Sequence, residues 1–247
     1  MPSSPSRPRP DLAFLTARPY AHRGLHGAGG VENSPSAFAA AIRAGHGIEL
    51  DVQLTSDGEA VVFHDADLKR LTGSPGRLAD HSAAELAAIR LAGSTDTIPT
   101  LRSVLELIGG QVPLLIEIKT PGRECGRLCR AVARALAGYQ GPVAVMGFNP
   151  QVARWFRRHA PGIVHGLVLS EEGPKTFTEK LVKAAKRIGS VIIARPDFLA
   201  YDVRSLASSL PRRMRARGMP VLTWTVRTPA DRERAATFAD QIIYETT

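Results

Sequence analysis

The chain has 247 residues, is 44% hydrophobic and carries a formal net charge of +9. Its composition is that of a globular protein, and two cysteines are too few for a disulfide framework or a cysteine-rich zinc site. No apolar run reaches the length of a signal-peptide core or a membrane span, so we expect a cytoplasmic protein without stable membrane association.

The positive charge suits an anionic ligand but does not predict a nucleic-acid partner. Lysine accounts for only 6 of the 32 basic residues, and the arginines are spread along the chain. Two arginine-rich stretches, 154–159 and 212–217, match no known nucleic-acid module. We interpret both as solvated helix surfaces.

Strand-like and helical stretches alternate along the chain, which predicts a parallel sheet. The first predicted helix starts after Ser34, a capping residue, with Pro35 in its first turn, and ends near Gly45. Residues 1–17 are predicted to be a flexible N-terminal arm, followed by one domain over 18–247. The strand-like runs are 20–24, 47–52, 61–65, 113–119, 143–149, 164–170, 191–198, 221–226 and 241–245.

The second and third runs are separated only by TSDGEA, which is too short for a parallel crossover. The third run is therefore predicted to return antiparallel, as a hairpin. Eight strand-helix units remain, and they predict a (β/α)8 TIM-type barrel with its active groups at the C-terminal ends of the strands.

The hairpin register follows from the apolar pattern of its two strands. Pairing Leu54 with Val61, and Val52 with Phe63, places apolar residues opposite each other. The same register puts Asp51 opposite His64, so a carboxylate and an imidazole are predicted to be neighbours on the other face.

Polar side chains occupy several predicted strand ends, and pairs at i and i+2 project to the same side of a strand. Three of them are carboxylates, which suit a hard divalent cation such as Mg²⁺ or Ca²⁺. Any one of these short motifs alone is common in ordinary ion pairs, but their joint occurrence at the catalytic face of a barrel is hard to explain by stability. The residues are His22, Arg23, Glu49, Asp51, His64, Glu117 and Lys119.

Six motifs span about residues 20 to 245, namely AHRG, ENSPSAFAAAIRAG, IELDVQLTSDGEAVVFHDADLKRLTG, IPTL, EIK and LTWTV. In these motifs the sequence resembles the glycerophosphodiester phosphodiesterases of the phospholipase-C-like barrel superfamily. The resemblance implies cation-dependent hydrolysis of a small-molecule glycerophosphodiester to glycerol 3-phosphate and an alcohol.

The resemblance also implies a role for each matching residue. His22 and His64 would be the acid-base pair, and the metal ligands would be Glu49, Asp51 and Glu117. Arg23 and Lys119 would contact the phosphate, and Trp224 would form a wall for the substrate.

Several alternatives stay open at this point. A phospholipase or lysophospholipase acting on intact lipids shares the two-histidine chemistry, and a non-catalytic barrel could bind phosphorylated ligands. The sequence does not identify the cation, and it does not say which histidine is the acid and which is the base. It also leaves open whether the nucleophile is water or the glycerol 2-hydroxyl. The family's usual TD-proline ending is replaced by YETT, which leaves the role of the last strand open.

Overall fold

Eight parallel strands close into a barrel in the computed structural model, which describes residues 11–27, 30–120, 122, 124–171 and 176–246. The first barrel strand pairs with both the second and the last, which closes the barrel. The predicted TIM-type barrel is therefore confirmed. The strands are β1 (Tyr20–His22), β2 (Gly47–Leu54), β3 (Ala60–Val62), β4 (Leu114–Ile118), β5 (Val143–Met146), β6 (Val164–Leu169), β7 (Phe198–Asp202), β8 (Val221–Val226) and β9 (Gln241–Tyr244).

Helices cover the outside of the barrel, and apolar side chains on alternate strand positions pack against them. The helix predicted after Ser34 begins at Pro35, and the Ser34 side chain accepts a hydrogen bond from the backbone N–H of Ala37. No helix in the described part of the chain is long and apolar enough to cross a membrane. The helices are α1 (Phe14–Ala17), α2 (Pro35–Arg43), α3 (Lys69–Thr72), α4 (Ala83–Ala87), α5 (Leu101–Ile108), α6 (Gly126–Ala135), α7 (Pro150–His159), α8 (Phe177–Ala194), α9 (Ser209–Ala216) and α10 (Pro229–Phe238), with 3₁₀ turns at Leu78–Asp80 and Val203–Ser205.

The extra strand β3 pairs antiparallel with β2, as predicted, but its register differs from the prediction by one residue. Val52 lies opposite Val62, and Leu54 lies opposite Ala60. The tighter turn is closed by a hydrogen bond from Thr55 N to Glu59 O, and Gly58 adopts a left-handed backbone with φ of 85°. Because glycine makes this short loop accessible, the turn rather than the apolar pattern sets the register.

The predicted strand at 191–198 is wrong for most of its length. Residues 191–194 are the last turn of α8, and β7 begins only at Phe198. A short apolar run does not distinguish a strand from one face of a helix. Here Ala194 is buried whereas Ile192 is 65% exposed, so the run continues the surface of a long helix.

The predicted N-terminal arm is too long at its C-terminal end. Residues Phe14–Ala17 form α1, and Leu15 is fully buried in the same apolar cluster as Tyr20. This part of the arm therefore packs on the barrel. Residues 1–10 lie outside the described residues.

The barrel interior divides into an apolar end and a polar end. Tyr20 and Phe198 fill the apolar end, and each lies against a glycine of a neighbouring strand. A Cβ on Gly47 would lie 2.6 Å from the Tyr20 ring, and one on Gly166 would lie 2.3 Å from the Phe198 ring. These glycines make room for the two large aromatic rings, which fill this end of the barrel with apolar atoms.

Candidate active site

A cavity of about 290 Å³ opens at the C-terminal ends of the barrel strands. All but one of the residues predicted for the site line this cavity. The exception, Asp51, is fully buried between neighbours that do line it. The predicted residues at the cavity are His22, Arg23, Glu49, His64, Glu117, Lys119 and Trp224.

Three carboxylates form the floor of the site. Glu49 and Asp51 are two residues apart on β2 and so share its inward face, and Asp51 lies opposite Glu117 on β4. One oxygen atom of each carboxylate lies within 4.8 Å of the others. All three side chains are buried, so each depends on nearby charge or hydrogen bonds to remain ionised.

The pKa values of these acids reflect two opposing effects, burial and the positive charges nearby. Burial raises the pKa of Glu49 well above its ordinary value, and the charges of Asp51 and Glu117 raise it further. Burial likewise raises the pKa of Glu117. Burial also opposes ionisation of Asp51, but Lys119 and Arg23 outweigh it and hold the pKa of Asp51 below its ordinary value.

Lys119 holds two of the acids together. Its Nζ lies 3.0 Å from Asp51 Oδ1 and 2.7 Å from Glu117 Oε1. Burial alone would lower the pKa of this ammonium, but the two carboxylates raise it above its ordinary value. Lys119 therefore remains charged in the site.

Arg23 contacts the other side of the cluster from an unusual backbone position. Its φ of 58° turns the backbone N–H toward Glu49, where it donates to Oε2 at 3.1 Å. The guanidinium Nε lies 3.2 Å from Asp51 Oδ2, and Nη1 donates to Glu32 Oε1 at 2.7 Å. The Arg23 side chain is therefore held between two carboxylates, Asp51 and Glu32.

Asn33 was not predicted as a site residue, although it belongs to the ENSPSAFAAAIRAG motif. Its Nδ2 donates to Asp51 Oδ2 at 2.9 Å, and its Oδ1 accepts from the Asp51 backbone N–H. Both contacts fix the carboxylate in place. The signal for this role was the position of an amide side chain immediately before the Ser34 helix cap.

The site has the chemistry of a hard-cation site. Glu49 Oε1 is buried and has no hydrogen-bonding partner among the described residues, although it lies in the carboxylate cluster. An unpaired oxygen of this kind is costly without a positive ligand. Carboxylate oxygens from Glu49, Asp51 and Glu117 are the ligands that Mg²⁺ and Ca²⁺ prefer, so these residues fit a divalent cation.

His22 is held by a carboxylate that sequence analysis did not assign to the site. Its Nδ1 lies 2.5 Å from Oε1 of Glu245, just after β9, and Arg227 Nε donates to Glu245 Oε2 at 2.6 Å. His22 Nε2 lies on the cavity side, 3.9 Å from Glu49 Oε2. Burial lowers the pKa of His22, although Glu245 opposes this effect. The signal for Glu245 was a carboxylate at the end of the last predicted strand.

His64 is held in a similar way, by the neighbouring Asp65. Its Nδ1 lies 2.7 Å from Asp65 Oδ1, and Arg70 binds that aspartate with Nε at 2.5 Å and Nη2 at 2.9 Å. Arg70 also donates to Glu32, which links this group to Arg23. Both histidines therefore have their Nδ1 atoms engaged by an acid that an arginine fixes.

Trp224, on β8, forms one side of the cavity. Its ring lies edge-on to Phe148, with 5.5 Å between the ring centroids, and its Nε1 donates to Ala200 O at 3.2 Å. The hydrogen bond and the aromatic contact fix the ring, so Trp224 presents a rigid apolar surface to the cavity.

The glycerophosphoryl diester phosphodiesterase family matches this chain over residues 22–244. The chain belongs to that family. A glycerophosphodiester phosphodiesterase of Caldanaerobacter subterraneus subsp. tengcongensis is 36% identical over 152 residues, which are 56% of this chain and 60% of the relative. The aligned region thus spans less than two thirds of that relative.

Two solved structures share the fold of this chain over most of its length. The Thermotoga maritima glycerophosphodiester phosphodiesterase is 26% identical, with a TM-score of 0.71, and the match covers 91% of this chain and 92% of that one. An Oleispira antarctica phosphodiesterase, solved with the product sn-glycerol-3-phosphate, has a TM-score of 0.78 at 22% identity and covers 94% and 93% of the two chains. This second likeness is one of fold.

Proposed function

We propose that the chain hydrolyses glycerophosphodiesters to glycerol 3-phosphate and an alcohol, with a divalent cation and two histidines. The observation that carries the proposal is the buried cluster of Glu49, Asp51 and Glu117 in a cavity that two carboxylate-bound imidazoles line. Family membership and the sn-glycerol-3-phosphate bound by the Oleispira antarctica relative support the substrate class.

The cation would be held by Glu49, Asp51 and Glu117. When bound, it would place positive charge against the phosphate oxygens and stabilise the charge that builds on them during the reaction. Arg23 and Lys119 are fixed beside the same acids and add to the positive potential that the phosphate meets.

The two histidines are arranged to move protons at Nε2. When Glu245 accepts a hydrogen bond from His22 Nδ1–H, the Nε2 atom is left as an acceptor. Asp65 can do the same for His64 by accepting a hydrogen bond from its Nδ1–H. One imidazole takes the proton of the nucleophile, and the other donates a proton to the alcohol oxygen as its bond to phosphorus breaks.

Acid-base catalysis of this kind contributes about 10²- to 10⁴-fold to a rate. The nucleophile is either water or the glycerol 2-hydroxyl, and the second choice would form a cyclic phosphate that water then opens. Detection of the cyclic phosphate by ³¹P NMR would support the second route, because only that route forms it.

The test starts from protein stripped of metal by a chelator. Mg²⁺ or Ca²⁺ is added back separately with glycerophosphoethanolamine, and released glycerol 3-phosphate is measured. We expect no turnover without a cation, and a loss of at least about 100-fold in kcat for His22→Asn and for His64→Asn. The matched control is His159→Asn, an exposed histidine on α7.

Turnover of the metal-free protein at the full rate would contradict the metal assignment. Near-normal kcat in either active-site variant would contradict the acid-base assignment. The cytoplasmic location and the absence of nucleic-acid partners stay predictions from the sequence.

A further inference from the structure

A second, larger cavity of about 750 Å³ lies beside the catalytic cavity. The two cavities share four lining residues, namely His64, Glu117, Lys119 and Phe148. The outer walls of the second cavity come from the β2–β3 hairpin, residues 66–79 and the start of α6. It is therefore an extension of the reaction site along the catalytic face.

The positions of the two histidines indicate which part of the substrate enters the larger cavity. His64 lines both cavities, whereas His22 lines only the catalytic one. A phosphodiester has two arms, and the acid that protonates the leaving alcohol must lie beside that alcohol's oxygen. If the glycerol phosphate remains in the smaller cavity, the leaving alcohol extends past His64 into the larger one.

The charges of the larger cavity differ from those of the smaller one. Arg77 and Arg127 line it, and both are exposed. Neither arginine forms an ion pair in the described part of the chain. Glu117 is already bound by Lys119, which leaves Glu124 as the acid on this side among the described lining residues.

Most neutral polar groups of the cavity are already engaged within the protein. Gln53 Nε2 donates to Phe63 O and Asp65 O, and Asn149 Nδ2 donates to Thr120 and Gly122. The unpaired guanidinium groups are thus the strongest recognition elements that face a ligand. Guanidinium groups bind carboxylate and phosphate in preference to neutral groups.

The aromatic residues that line the larger cavity also favour an anionic alcohol over a cationic one. A quaternary ammonium such as choline is recognised by a cage of several aromatic faces. Phe148 is the aromatic side chain among the described lining residues of this cavity. The cavity therefore lacks the surroundings that favour choline and contains charges that repel it.

We propose that this cavity binds the leaving alcohol and selects alcohols that carry a negative group, with Arg77 and Arg127 as its specificity determinants. The inference rests on the proposed diesterase function and adds the substrate class to it. The negative group can be a carboxylate, as in a serine head group, or a second phosphate, as in a glycerophosphate chain.

The test compares substrates that differ by one group. Glycerophosphoserine differs from glycerophosphoethanolamine only by a carboxylate, and 1,3-bis(glycerophospho)glycerol supplies a second phosphate. For the unmodified protein at low salt, we expect kcat/KM for the serine substrate to exceed that for the ethanolamine substrate by about three- to tenfold. The ratio should fall as NaCl is added, since the contacts are partly exposed. The bis-phosphate substrate shows whether phosphate is favoured over carboxylate.

The double variant Arg77→Gln/Arg127→Gln should reduce the serine-to-ethanolamine ratio to about one. Both substrates are measured on the same preparation, so any loss of folded protein cancels from the ratio. The control Arg90→Gln/Arg130→Gln removes two exposed arginines that do not line the cavity, of which Arg130 shares α6 with Arg127, and should keep the original ratio.

The outcomes separate the two proposals. The inference about the cavity is overturned if glycerol 3-phosphate is released but the serine-to-ethanolamine ratio of the unmodified protein is one or less. It is also overturned if the double variant leaves that ratio unchanged. In both cases the proposed function still stands. Hydrolysis of none of these diesters overturns the proposed function, and the inference fails with it.

Discussion

The Nδ1 atom of His22 lies 2.5 Å from Oε1 of Glu245, although 223 positions separate the two residues in the chain. The barrel closes by pairing β1 with β9, and this pairing brings the end of the last strand to the first histidine. Glu245 is in turn fixed by Arg227. The last strand of the barrel thus supplies a residue that positions His22.

The first prediction concerns that pair. Glu245→Gln keeps the length of the side chain but loses the charge that stabilises the protonated form of His22, so we expect kcat to fall by about 10- to 100-fold with little change in KM. Because Glu245 raises the pKa of His22, the limb of the kcat pH profile that His22 sets should move to lower pH in the variant. Because the two residues act as a unit, Glu245→Gln should lower kcat much less in a His22→Asn background.

The control for this variant is Glu233→Gln, an exposed glutamate on α10 whose loss should leave the profile unchanged. A purely structural role for Glu245 would lower the amount of folded protein without moving the pH profile. Full additivity with His22→Asn would also contradict the positioning role.

The second prediction concerns the buried carboxylate Glu49. Without a cation, this side chain lies among two other acids, and burial and their charges raise its pKa. Replacing it with glutamine removes that repulsion, so Glu49→Gln should raise the melting temperature of the metal-free protein at pH 8. The same variant should lose most of the stabilisation that Mg²⁺ or Ca²⁺ gives to the unmodified protein.

Differential scanning fluorimetry with and without each cation measures both effects. An exposed glutamate such as Glu106 provides the matched control variant, Glu106→Gln. If Glu49→Gln kept the full cation-induced shift in melting temperature, Glu49 would not be a ligand.

The third prediction concerns acid stability. Hydrogen bonds from Arg70 lower the pKa of Asp65 from 3.8 to about 2, against the effect of partial burial. A folded-state pKa below the unfolded value stabilises the fold above pH 4, and this stabilisation is lost as the pH falls from about 4 to about 2. We expect the contribution to be roughly 1–2 kcal/mol at neutral pH.

Urea unfolding at several pH values between 2.5 and 7 tests this contribution. Asp65→Asn should be less stable than the unmodified protein at pH 7, and the difference should shrink toward pH 2.5. The control is Asp80→Asn, which removes an exposed aspartate from a nearby 3₁₀ turn. A constant difference across the pH range would show that Asp65 stabilises by packing and not by charge.

The fourth prediction concerns the apolar end of the barrel. A Cβ on Gly166 would lie 2.3 Å from the Phe198 ring, which is itself fully buried. Gly166→Ala should therefore destabilise the fold by about 1–3 kcal/mol in urea unfolding. The control Gly162→Ala should be nearly neutral, because no heavy atom lies within 4 Å of its added Cβ.

A second variant distinguishes this clash from a general intolerance to alanine. Phe198→Leu replaces the ring with a smaller aliphatic side chain, so Gly166→Ala should cost less in that background than in the unmodified protein. An equal cost in both backgrounds would show that the ring is not the source of the destabilisation.

The sequence predicted the fold class and the residues that meet at the candidate site because both depend on local patterns. Alternating strands and helices predict a parallel barrel, and the period of two places Glu49 and Asp51 on the same inward face. The ends of barrel strands converge, so the polar residues that follow those strands were expected to lie together. Their catalytic and metal-binding roles stay predictions.

The failures arose where a local pattern permits two structures. The apolar run at 191–194 suits a helix face as well as a strand, and in the structure it forms the last turn of α8. The hairpin register was set by the left-handed Gly58 and the short turn that it permits, which the apolar pattern does not encode.

By itself, the chain therefore determined which side chains carry charge and which strand face they occupy, since a strand alternates its side chains by covalent geometry alone. Only the tertiary structure decided which acid binds which base. Glu245 meets His22, and Glu32 joins Arg23 to Arg70, because barrel closure and loop packing bring distant segments together. Such contacts depend on distances between segments, and no periodic pattern along the chain encodes those distances.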